Sequence, residues 1–181
     1  MNERTESTTK AAVFADLCDY TRLTEAFGDE AAAEMAVVLG VIARDVARRH
    51  SGRVVKMLGD GAHLHFEDAA DAVPAAIDFL ARVRSSGLPC ARVGVNAGPM
   101  VEANGDYYGR TVNVAARIAA QAAPGSVLVA EAALTSAGAV RFERVGPIAL
   151  RGVAKQVMVY RAFAPSPHVV AASSGPTLVA G

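Results

Sequence analysis

Two short apolar runs on either side of the tripeptide GDG constrain the fold more than any other stretch of the chain. The runs are RVVKML (53–58) and AHLHF (62–66). Asp-Gly between two alternating runs is a strong signal for a β-hairpin. A period of two leaves Asp60 at the turn of this hairpin. The same period predicts that one face of the first strand carries Val54, Lys56 and Leu58.

A buried strand and a long helix are predicted before the hairpin. The stretch AAVFADLCDY (11–20) is apolar enough for a core strand, and Asp16 interrupts it. The helix is indicated by apolar residues at helical spacing, namely Met35, Val38, Leu39, Ile42 and Val46. Asp29 is its predicted N-cap, and Gly52 is predicted to end it.

A second helix and a further strand are predicted after the hairpin. The helix extends from about Ala72 to Ser86, with Asp71 as its cap and Pro74 in its first turn, and the strand covers 90–98. The first six elements then follow the split βαββαβ arrangement of ferredoxin-like folds, in which helices cover one face of a mostly antiparallel sheet. The predicted fold class is α+β, an alpha/beta sandwich with additional C-terminal strands.

The remaining elements complete one folded domain. A turn-rich connection (99–110) leads to a third helix over 111–123, followed by a strand (126–130), a short helix (131–138) and two or three further strands within 140–163. The predicted organisation is a polar N-terminal lead at 1–10, a domain at 11–163 and a flexible C-terminal tail at 164–181.

Charge and composition exclude several classes of function. Eighteen basic and eighteen acidic residues cancel, whereas a non-specific nucleic-acid binder needs an excess of Lys and Arg, so no nucleic-acid partner is expected. The longest uncharged apolar run, 35–43, is far shorter than the ~20 residues of a membrane helix, and no signal peptide is evident. Cys18 and Cys90 lack metal or redox spacing, which predicts a reduced cytoplasmic protein. A disulfide between them is the open alternative.

Two carboxylates are the first candidate functional residues. An acid within a core strand, as Asp16 is, destabilises the fold unless something pairs with it. In a βαββ layout the first strand can lie beside the hairpin, so Asp16 and Asp60 could meet at one end of the sheet. Two adjacent carboxylates repel unless a cation lies between them, and oxygen ligands suit Mg²⁺ or Mn²⁺. The alternative is that Asp60 is only a turn residue.

A second cluster lies in GDYYGRTVNVAARIAA (105–120). Asn113 and Arg117 are four residues apart on the predicted third helix and share a face, while Asp106 lies in the approach to that helix. An amide and a guanidinium on one face suit a sugar oxygen and a phosphate, although Arg117 could also belong to a solvated face. His63 and His65 lack a third ligand, so an exposed strand face is expected there and not a zinc site.

Three stretches in this order resemble the signature blocks of the class III adenylyl/guanylyl cyclase catalytic domain. They are VFADLCDYTRL, VVKMLGDGAHLHF and GDYYGRTVNVAARI, and the ending LRGVAKQVMVYRAF is also similar to the family pattern. The resemblance covers roughly residues 10 to 163. It implies that Asp16 and Asp60, with the backbone carbonyl of Leu17, bind two divalent cations per site, Mg²⁺ or Mn²⁺.

The resemblance also implies how a nucleotide is bound. Lys56 and Asp106 would recognise adenine, Asn113 would orient the ribose and Arg117 would stabilise charge on the phosphates. In this family the metal acids come from one subunit and the other four residues from its partner. The implied partners are therefore ATP as substrate and a second copy of the chain in a homodimer with two equivalent sites.

The implied activity is that of an adenylate cyclase, which converts ATP to 3′,5′-cyclic AMP and pyrophosphate. The ribose 3′-hydroxyl attacks the α-phosphate with two-metal assistance. The alternatives are a catalytically weak or silent nucleotide-binding regulatory module and, with less support, a guanylate cyclase. Asp19 departs from the family, which usually has Gly there, and its carboxylate could repel the triphosphate or point to solvent. Either Arg151 or Lys155 would match a phosphate-contacting lysine of the family.

Overall fold

Nine strands and three α-helices follow one another in the structure, a computed structural model that describes residues 9–134 and 140–165. The strands are β1 (Ala11–Leu17), β2 (Gly52–Met57), β3 (Gly61–Phe66), β4 (Ala91–Ala97), β5 (Val101–Ala103), β6 (Asp106–Tyr108), β7 (Val127–Ala130), β8 (Arg141–Ile148) and β9 (Val157–Phe163). The helices are α1 (Tyr20–Arg49), α2 (Ala69–Ser85) and α3 (Arg110–Gln121). None of the helices within the described ranges is long and apolar enough to cross a membrane.

Seven of these strands form one sheet in the order β2-β3-β1-β4-β7-β9-β8. Neighbouring strands are antiparallel except β4 and β7, which are parallel. The first four strands, with α1 and α2, have the topology of the split βαββαβ unit. The predicted fold class is therefore confirmed, with β7, β8 and β9 as the additional C-terminal strands.

The two faces of the sheet have different covers. Alternate residues of β1, such as Val13 and Leu17, pack into the core beneath α1 and α2, while Phe14 packs toward α3 and β6 on the other face. Gly94 allows α3 to approach β4 closely, because a Cβ atom there would lie 2.2 Å from the backbone nitrogen of Ala119. The face that carries α3 also carries the candidate functional residues.

A β-bulge in β2 changes which side chains share a face. Val54 is opposite Leu64 but Lys56 is opposite His63, so Val55 is an extra residue in the strand. Val54 consequently packs beneath α1 and α2, whereas Lys56 turns to the α3 face. The prediction that Val54 and Lys56 share a face is wrong, because the bulge breaks the period of two.

The tip of the β2–β3 hairpin is a tight turn at Gly59 and Asp60. The Leu58 N–H donates to the carbonyl oxygen of Gly61 at 2.8 Å, and Gly59 adopts a φ of 78°. The residue that needs the left-handed conformation is therefore Gly59. Gly61 has a different role, because a Cβ atom there would lie 2.7 Å from the carbonyl oxygen of Ala15 in the adjacent strand.

Helix α1 differs from its predicted bounds at both ends. It begins well before Asp29, and Gly28 interrupts it with a non-helical φ of 86° and ψ of 171°. Asp29 thus follows an internal break and is not the N-cap of the whole helix. Gly52 does not end the helix but starts β2, where a Cβ atom would lie 2.3 Å from Cε1 of Phe66. Ser51, with a φ of 57°, makes the turn between them.

Helix α2 begins earlier than predicted. Its N-cap is Asp68, whose side chain accepts a hydrogen bond from the Ala70 N–H at 2.8 Å. Asp71 therefore lies inside the first turn and is not the cap. Pro74 lies one turn further into the helix than predicted. Gly87, with a φ of 79°, follows the C-terminal end of the helix.

The connection 99–110 is a second hairpin and not only a series of turns. β5 and β6 pair antiparallel around Asn104 and Gly105, which have φ values of 53° and 77°. Positive φ at both central residues is typical of a type I′ turn. After β7, the predicted short helix is a 3₁₀ turn at Glu131–Ala133. The rest of that predicted helix at 135–138, the first eight residues of the lead and the tail from 166 onward lie outside the described residues.

Candidate active site

Asp16 and Asp60 lie side by side at the end of the sheet where the β2–β3 hairpin turns. Asp16 is opposite Gly61 in the β1–β3 ladder, and the Leu17 N–H donates to the carbonyl oxygen of Asp60 at 2.9 Å. Burial raises the pKa of Asp60, and the adjacent Asp16 carboxylate raises it further. The two acids therefore repel each other in the absence of a cation between them.

Arg92 is a third charged residue at this end of the sheet. Its Nε and Nη2 donate to Oδ2 of Asp16 at 3.0 Å and 2.7 Å, and its Nη1 donates to the carbonyl oxygen of Ala120 at 3.2 Å. Sequence reasoning missed this residue. The βαββαβ layout predicts that β4 lies beside β1. The sequence pattern alone does not give the register that places Arg92 opposite Asp16.

The donors at this end of the sheet fit a divalent cation. They are two carboxylates and the nearby backbone of Leu17, and hard oxygen ligands are those preferred by Mg²⁺ and Mn²⁺. A guanidinium already compensates the charge of Asp16. Among residues 9–134 and 140–165, no three His, Cys, Asp or Glu side chains converge on one point. Remaining ligands of such a cation would then be oxygen atoms of substrate and water.

Cys18 and Cys90 continue the β1–β4 ladder beside this pair of acids. The Cys18 N–H donates to the carbonyl oxygen of Cys90 at 2.7 Å, and both residues are free thiols. Burial raises the pKa of the Cys18 thiol, so it is predominantly protonated near neutral pH. No disulfide joins these two residues in the structure.

Lys56 and Asp106 form an ion pair on the α3 face. Nζ of Lys56 lies 2.5 Å from Oδ2 of Asp106, and the Tyr107 N–H donates to Oδ1 of Asp106 at 2.8 Å. These two hydrogen bonds, that of Lys56 first, lower the pKa of Asp106. The bulge in β2 and the β5–β6 hairpin together produce this contact. A cationic donor and an anionic acceptor are thus adjacent on one surface.

His63 and His65 lie behind this pair and are buried, so the expectation of an exposed strand face is wrong. The ring of His63 stacks on Phe14 with centroids 4.4 Å apart, and that of His65 stacks on Tyr107 at 3.9 Å. The physical reason is that α3 and the β5–β6 hairpin cover this face of the sheet. Burial lowers the pKa of both histidines, to about 4 for His63. His63 is therefore neutral near pH 7.

A polar cluster fixes the hairpin that carries Asp106. Nη2 of Arg53 donates to Oε1 of Glu102 at 2.8 Å and also to the hydroxyl oxygen of Tyr107. The Tyr107 hydroxyl donates to Oε2 of Glu102 at 3.2 Å. These contacts join β2 to β5 and β6. Sequence reasoning missed them because it treated β5 and β6 as a loop.

Asn113 and Arg117 lie on α3. Asn113 is exposed near the start of the helix, and the guanidinium of Arg117 lies against Gly152 in the loop that also carries Arg151 and Lys155. Both of these loop residues are exposed, so the choice between them stays open.

The direction of α3 separates Asn113 from the metal acids within one chain. The start of α3 accepts a hydrogen bond from Asn96 near the end of β4, whereas Ala120 near the end of α3 contacts Arg92 at the start of β4. Ala120 follows Asn113 by seven residues, and the helix rises 1.5 Å per residue. Asn113 therefore lies about 10 Å along the helix axis from the end of α3 that contacts Arg92. In the described part of the chain, no hydrogen bond or ion pair joins Asn113 or Arg117 to the other candidate residues.

Asp19 occupies the N-cap position of α1 in a left-handed conformation. Its φ and ψ are 59° and 19°, which accounts for Gly at this position in the family pattern. The carboxylate is 69% exposed and lies 3.9 Å from Nη2 of Arg22. Of the two orientations left open by the sequence, this side chain has the solvent-exposed one.

Comparison with known proteins gives a consistent match. The model of the adenylate and guanylate cyclase catalytic domain matches residues 3–162. A pH-sensitive adenylate cyclase of Mycobacterium tuberculosis is 32% identical over 155 residues, which cover 82% of this chain and 39% of that protein. An uncharacterized protein of the same species is 31% identical over 162 residues, which cover 88% of this chain and 43% of that protein. The chain thus spans less than half the length of these curated relatives.

Solved structures of an adenylyl cyclase and of a guanylyl cyclase share the fold. The adenylyl cyclase CyaB from P. aeruginosa superposes with a TM-score of 0.75 at 23% identity, covering 88% of this chain and 96% of that one. The guanylyl cyclase Cya2 superposes with a TM-score of 0.74 at 20% identity, covering 89% and 94%. At these identities the likeness concerns the fold and not the choice of base.

Proposed function

The chain belongs to the family of adenylate and guanylate cyclase catalytic domains, and from this premise we propose that it is an adenylate cyclase. It converts ATP to 3′,5′-cyclic AMP and pyrophosphate in sites shared by two copies of the chain. A relative that is 32% identical is named an adenylate cyclase, which supports the choice of ATP. The candidate residues would form three subsites. The base subsite consists of Lys56 and Asp106, and the metal subsite consists of Asp16, Asp60 and the Leu17 carbonyl. Asn113 and Arg117 form the sugar and phosphate subsite.

The observation that carries the proposal is the contact between Lys56 and Asp106. Adenine presents N1 as an acceptor and its 6-amino group as a donor, so the lysine can donate to the ring and the aspartate can accept from the amine. Guanine reverses this pattern and would leave both charged groups mispaired. Mispairing a charged group costs roughly 1–3 kcal/mol, which corresponds to discrimination of about 5-fold to 160-fold per contact.

Asp16, Asp60 and the Leu17 carbonyl would hold two divalent cations, Mg²⁺ or Mn²⁺. Bound cations would supply Lewis-acid stabilisation of the negative charge on the phosphates and on the attacking 3′-oxygen. The raised pKa of Asp60 and the repulsion from Asp16 support this assignment, because both are relieved by a positive charge. Arg92 would then be released from Asp16 and become available to the polyphosphate.

Asn113 and Arg117 would act on the sugar and the phosphates. An amide at Asn113 can hold the ribose by a hydrogen bond and keep its 3′-hydroxyl in line with the α-phosphorus. The guanidinium of Arg117 can stabilise charge that develops in the transition state, since it donates several hydrogen bonds in a fixed plane. Both side chains lie on the same face of α3, as this division of roles requires.

The separation of Asn113 from the two acids within one chain supports a site built from two chains. The acids of one copy would face Lys56, Asp106, Asn113 and Arg117 of a second copy. A two-fold interface of this kind repeats itself and produces two equivalent sites per homodimer. Exposed apolar side chains near the candidate residues, such as Leu58, Val101 and Tyr108, are consistent with such an interface.

The rival function is a silent nucleotide-binding module that serves regulation. The feature that favoured it was Asp19, but the exposed carboxylate and its contact with Arg22 weaken that argument. A module without catalysis also has no need for all six polar candidate side chains, which are those of Asp16, Lys56, Asp60, Asp106, Asn113 and Arg117. A guanylate cyclase is less well supported, because the Lys56–Asp106 pair has the wrong hydrogen-bonding pattern for guanine.

The direct test incubates the purified chain with ATP and Mn²⁺ and identifies the product by mass spectrometry. The proposal predicts 3′,5′-cyclic AMP and pyrophosphate in equal amounts. Asp16→Ala is the matched negative variant and should make neither. A chain that binds ATP but releases no cyclic AMP would favour the silent module, and faster turnover of GTP than of ATP would favour a guanylate cyclase.

A further inference from the structure

We propose that His63 is a positioning residue for Asp106, donating from Nδ1 to Oδ1 of Asp106 when a purine separates Asp106 from Lys56. This inference rests on the proposed function, because it concerns how the base subsite works. It assigns a role to a residue that none of the candidate subsites includes.

His63 is a buried polar side chain without a hydrogen-bond partner. It is 0% exposed, and among the described residues neither Nδ1 nor Nε2 has a partner. Buried polar groups in folded proteins are nearly always hydrogen-bonded, since an unsatisfied one costs about 1–3 kcal/mol. A leucine or methionine would fill the same space without this cost. The histidine therefore calls for a state of the protein in which a ring nitrogen is satisfied.

Asp106 is the group that can satisfy the ring. Nδ1 of His63 lies 3.9 Å from Oδ1 of Asp106, beyond hydrogen-bonding distance by about 1 Å. Phe14 stacks nearly parallel to the ring, with an interplanar angle of 12°, and fixes its plane. The ring nitrogen is thus held beside the carboxylate, and a small movement of Asp106 would close the contact.

Binding of a purine supplies the reason for that movement. Without nucleotide, Asp106 accepts from Lys56 on Oδ2 and from the Tyr107 N–H on Oδ1. When Lys56 turns to a ring nitrogen of the base, Asp106 loses its cationic partner and exchanges it for a neutral amine. A carboxylate accepts several hydrogen bonds, and the His63 N–H is the nearby buried donor that can replace part of what is lost.

The protonation state of His63 fits this role. Burial keeps the imidazole neutral near pH 7, so it carries one N–H and adds no charge to the base subsite. The carboxylate beside Nδ1 favours the tautomer with the proton on that nitrogen. A neutral donor can hold Asp106 without competing with Lys56 for the adenine ring.

Three substitutions separate this role from simple packing. His63→Asn keeps an N–H donor near the position of Nδ1, His63→Gln moves the donor toward the position of Nε2, and His63→Leu has none. We expect His63→Asn to keep the KM for ATP within about threefold of wild type. His63→Gln and His63→Leu should raise it about tenfold, the effect of one hydrogen bond to a charged group, with kcat changed much less.

Stability provides the control for a merely structural role. His63→Leu removes a buried unsatisfied group, so its Tm should equal or exceed that of wild type while its KM rises. A second readout is the ¹⁵N signal of His63 Nδ1, which should shift on addition of a non-hydrolysable ATP analogue in wild type. An unchanged KM in His63→Leu, an equal rise in His63→Asn, or an unmoved Nδ1 signal with the analogue bound would each overturn the inference.

The outcomes distinguish this inference from the proposed function. A wild-type chain that makes no cyclic AMP contradicts the proposed function, and the Nδ1 signal then still reports whether His63 engages on nucleotide binding. A wild-type chain that makes cyclic AMP, together with a His63→Leu variant of unchanged KM, contradicts only the role of His63.

Discussion

The ammonium group of Lys56 lies 2.5 Å from the carboxylate of Asp106, although the two residues are 50 positions apart in the chain. Both side chains are partly exposed, so the ion pair contributes at most about 1 kcal/mol to stability. Under the proposed function, the two groups instead act as a donor and an acceptor for the edge of a purine.

Removing the donor should change base preference more than stability. In Lys56→Met we expect the ratio of kcat/KM for ATP to that for GTP to fall by about tenfold to a few hundredfold, because the ring acceptor of adenine loses its partner. Arg48→Met is the matched control, since it breaks an exposed ion pair on α1, on the other face of the sheet. Its ratio should stay at the wild-type value, and a ratio that is unchanged in Lys56→Met would contradict the role of the lysine.

We expect divalent cations to stabilise the folded chain through Asp60. Its raised pKa means that the folded chain holds this proton more tightly than the unfolded chain, so ionisation at neutral pH lowers stability. A cation that binds only the folded state at 100 times its Kd adds about 2.7 kcal/mol. Mn²⁺ should therefore raise the Tm of wild type.

The variant Asp60→Asn tests the origin of this effect. It should be more stable than wild type without metal, show no response to Mn²⁺ and lose at least about a hundredfold in kcat. Asp29→Asn, an exposed helix residue, is the control and should respond to Mn²⁺ as wild type does. A full Mn²⁺ response in Asp60→Asn would remove Asp60 from the metal subsite.

The meeting of Asp16 and Asp60 could be anticipated from the sequence, because a βαββ order places the first strand beside the hairpin. The orientation of Lys56 could not, since a bulge at Val55 leaves no mark in an apolar pattern. The position of Arg92 beside Asp16 depends on the β1–β4 register, which is set by the packing of the sheet. The burial of His63 depends on the β5–β6 hairpin, whose three-residue strands are too short to show a period.

Asp19 allows backbone strain and charge to be tested separately. A left-handed conformation costs a non-glycine residue about 1 kcal/mol or more, so Asp19→Gly should raise the free energy of unfolding by up to about that amount. Asp19→Asn removes only the charge. Because the Asp19 carboxylate is exposed and screened, the KM of Asp19→Asn for ATP should stay within about twofold of wild type. A much lower KM in both variants would mean that the carboxylate repels the triphosphate.

Acid should destabilise the protein through His63. Its pKa is lowered from 6.5 to about 4 in the folded state, so the unfolded chain binds a proton that the folded chain does not. Stability is therefore greatest above the unfolded value and falls as pH decreases toward 4, by about 3 kcal/mol in all.

Urea unfolding of wild type and His63→Leu at a series of pH values measures this contribution. His65 also has a lowered pKa, but it is common to both proteins and cancels in the difference. The free energy of unfolding of the variant should gain about 3 kcal/mol on wild type between about pH 7 and pH 4. Parallel pH dependences would show that His63 is not kept neutral by burial.

In the proposed enzyme, each active site uses the acids of one chain and the nucleotide-binding residues of another. The decisive experiment mixes two inactive variants, Asp16→Ala and Asn113→Ala, under conditions of subunit exchange and follows cyclic AMP. Random exchange makes half of the dimers mixed, and each has one intact site, so activity should return to about one quarter of wild type. No activity in a mixture whose heterodimers are visible by native mass spectrometry would contradict the shared site.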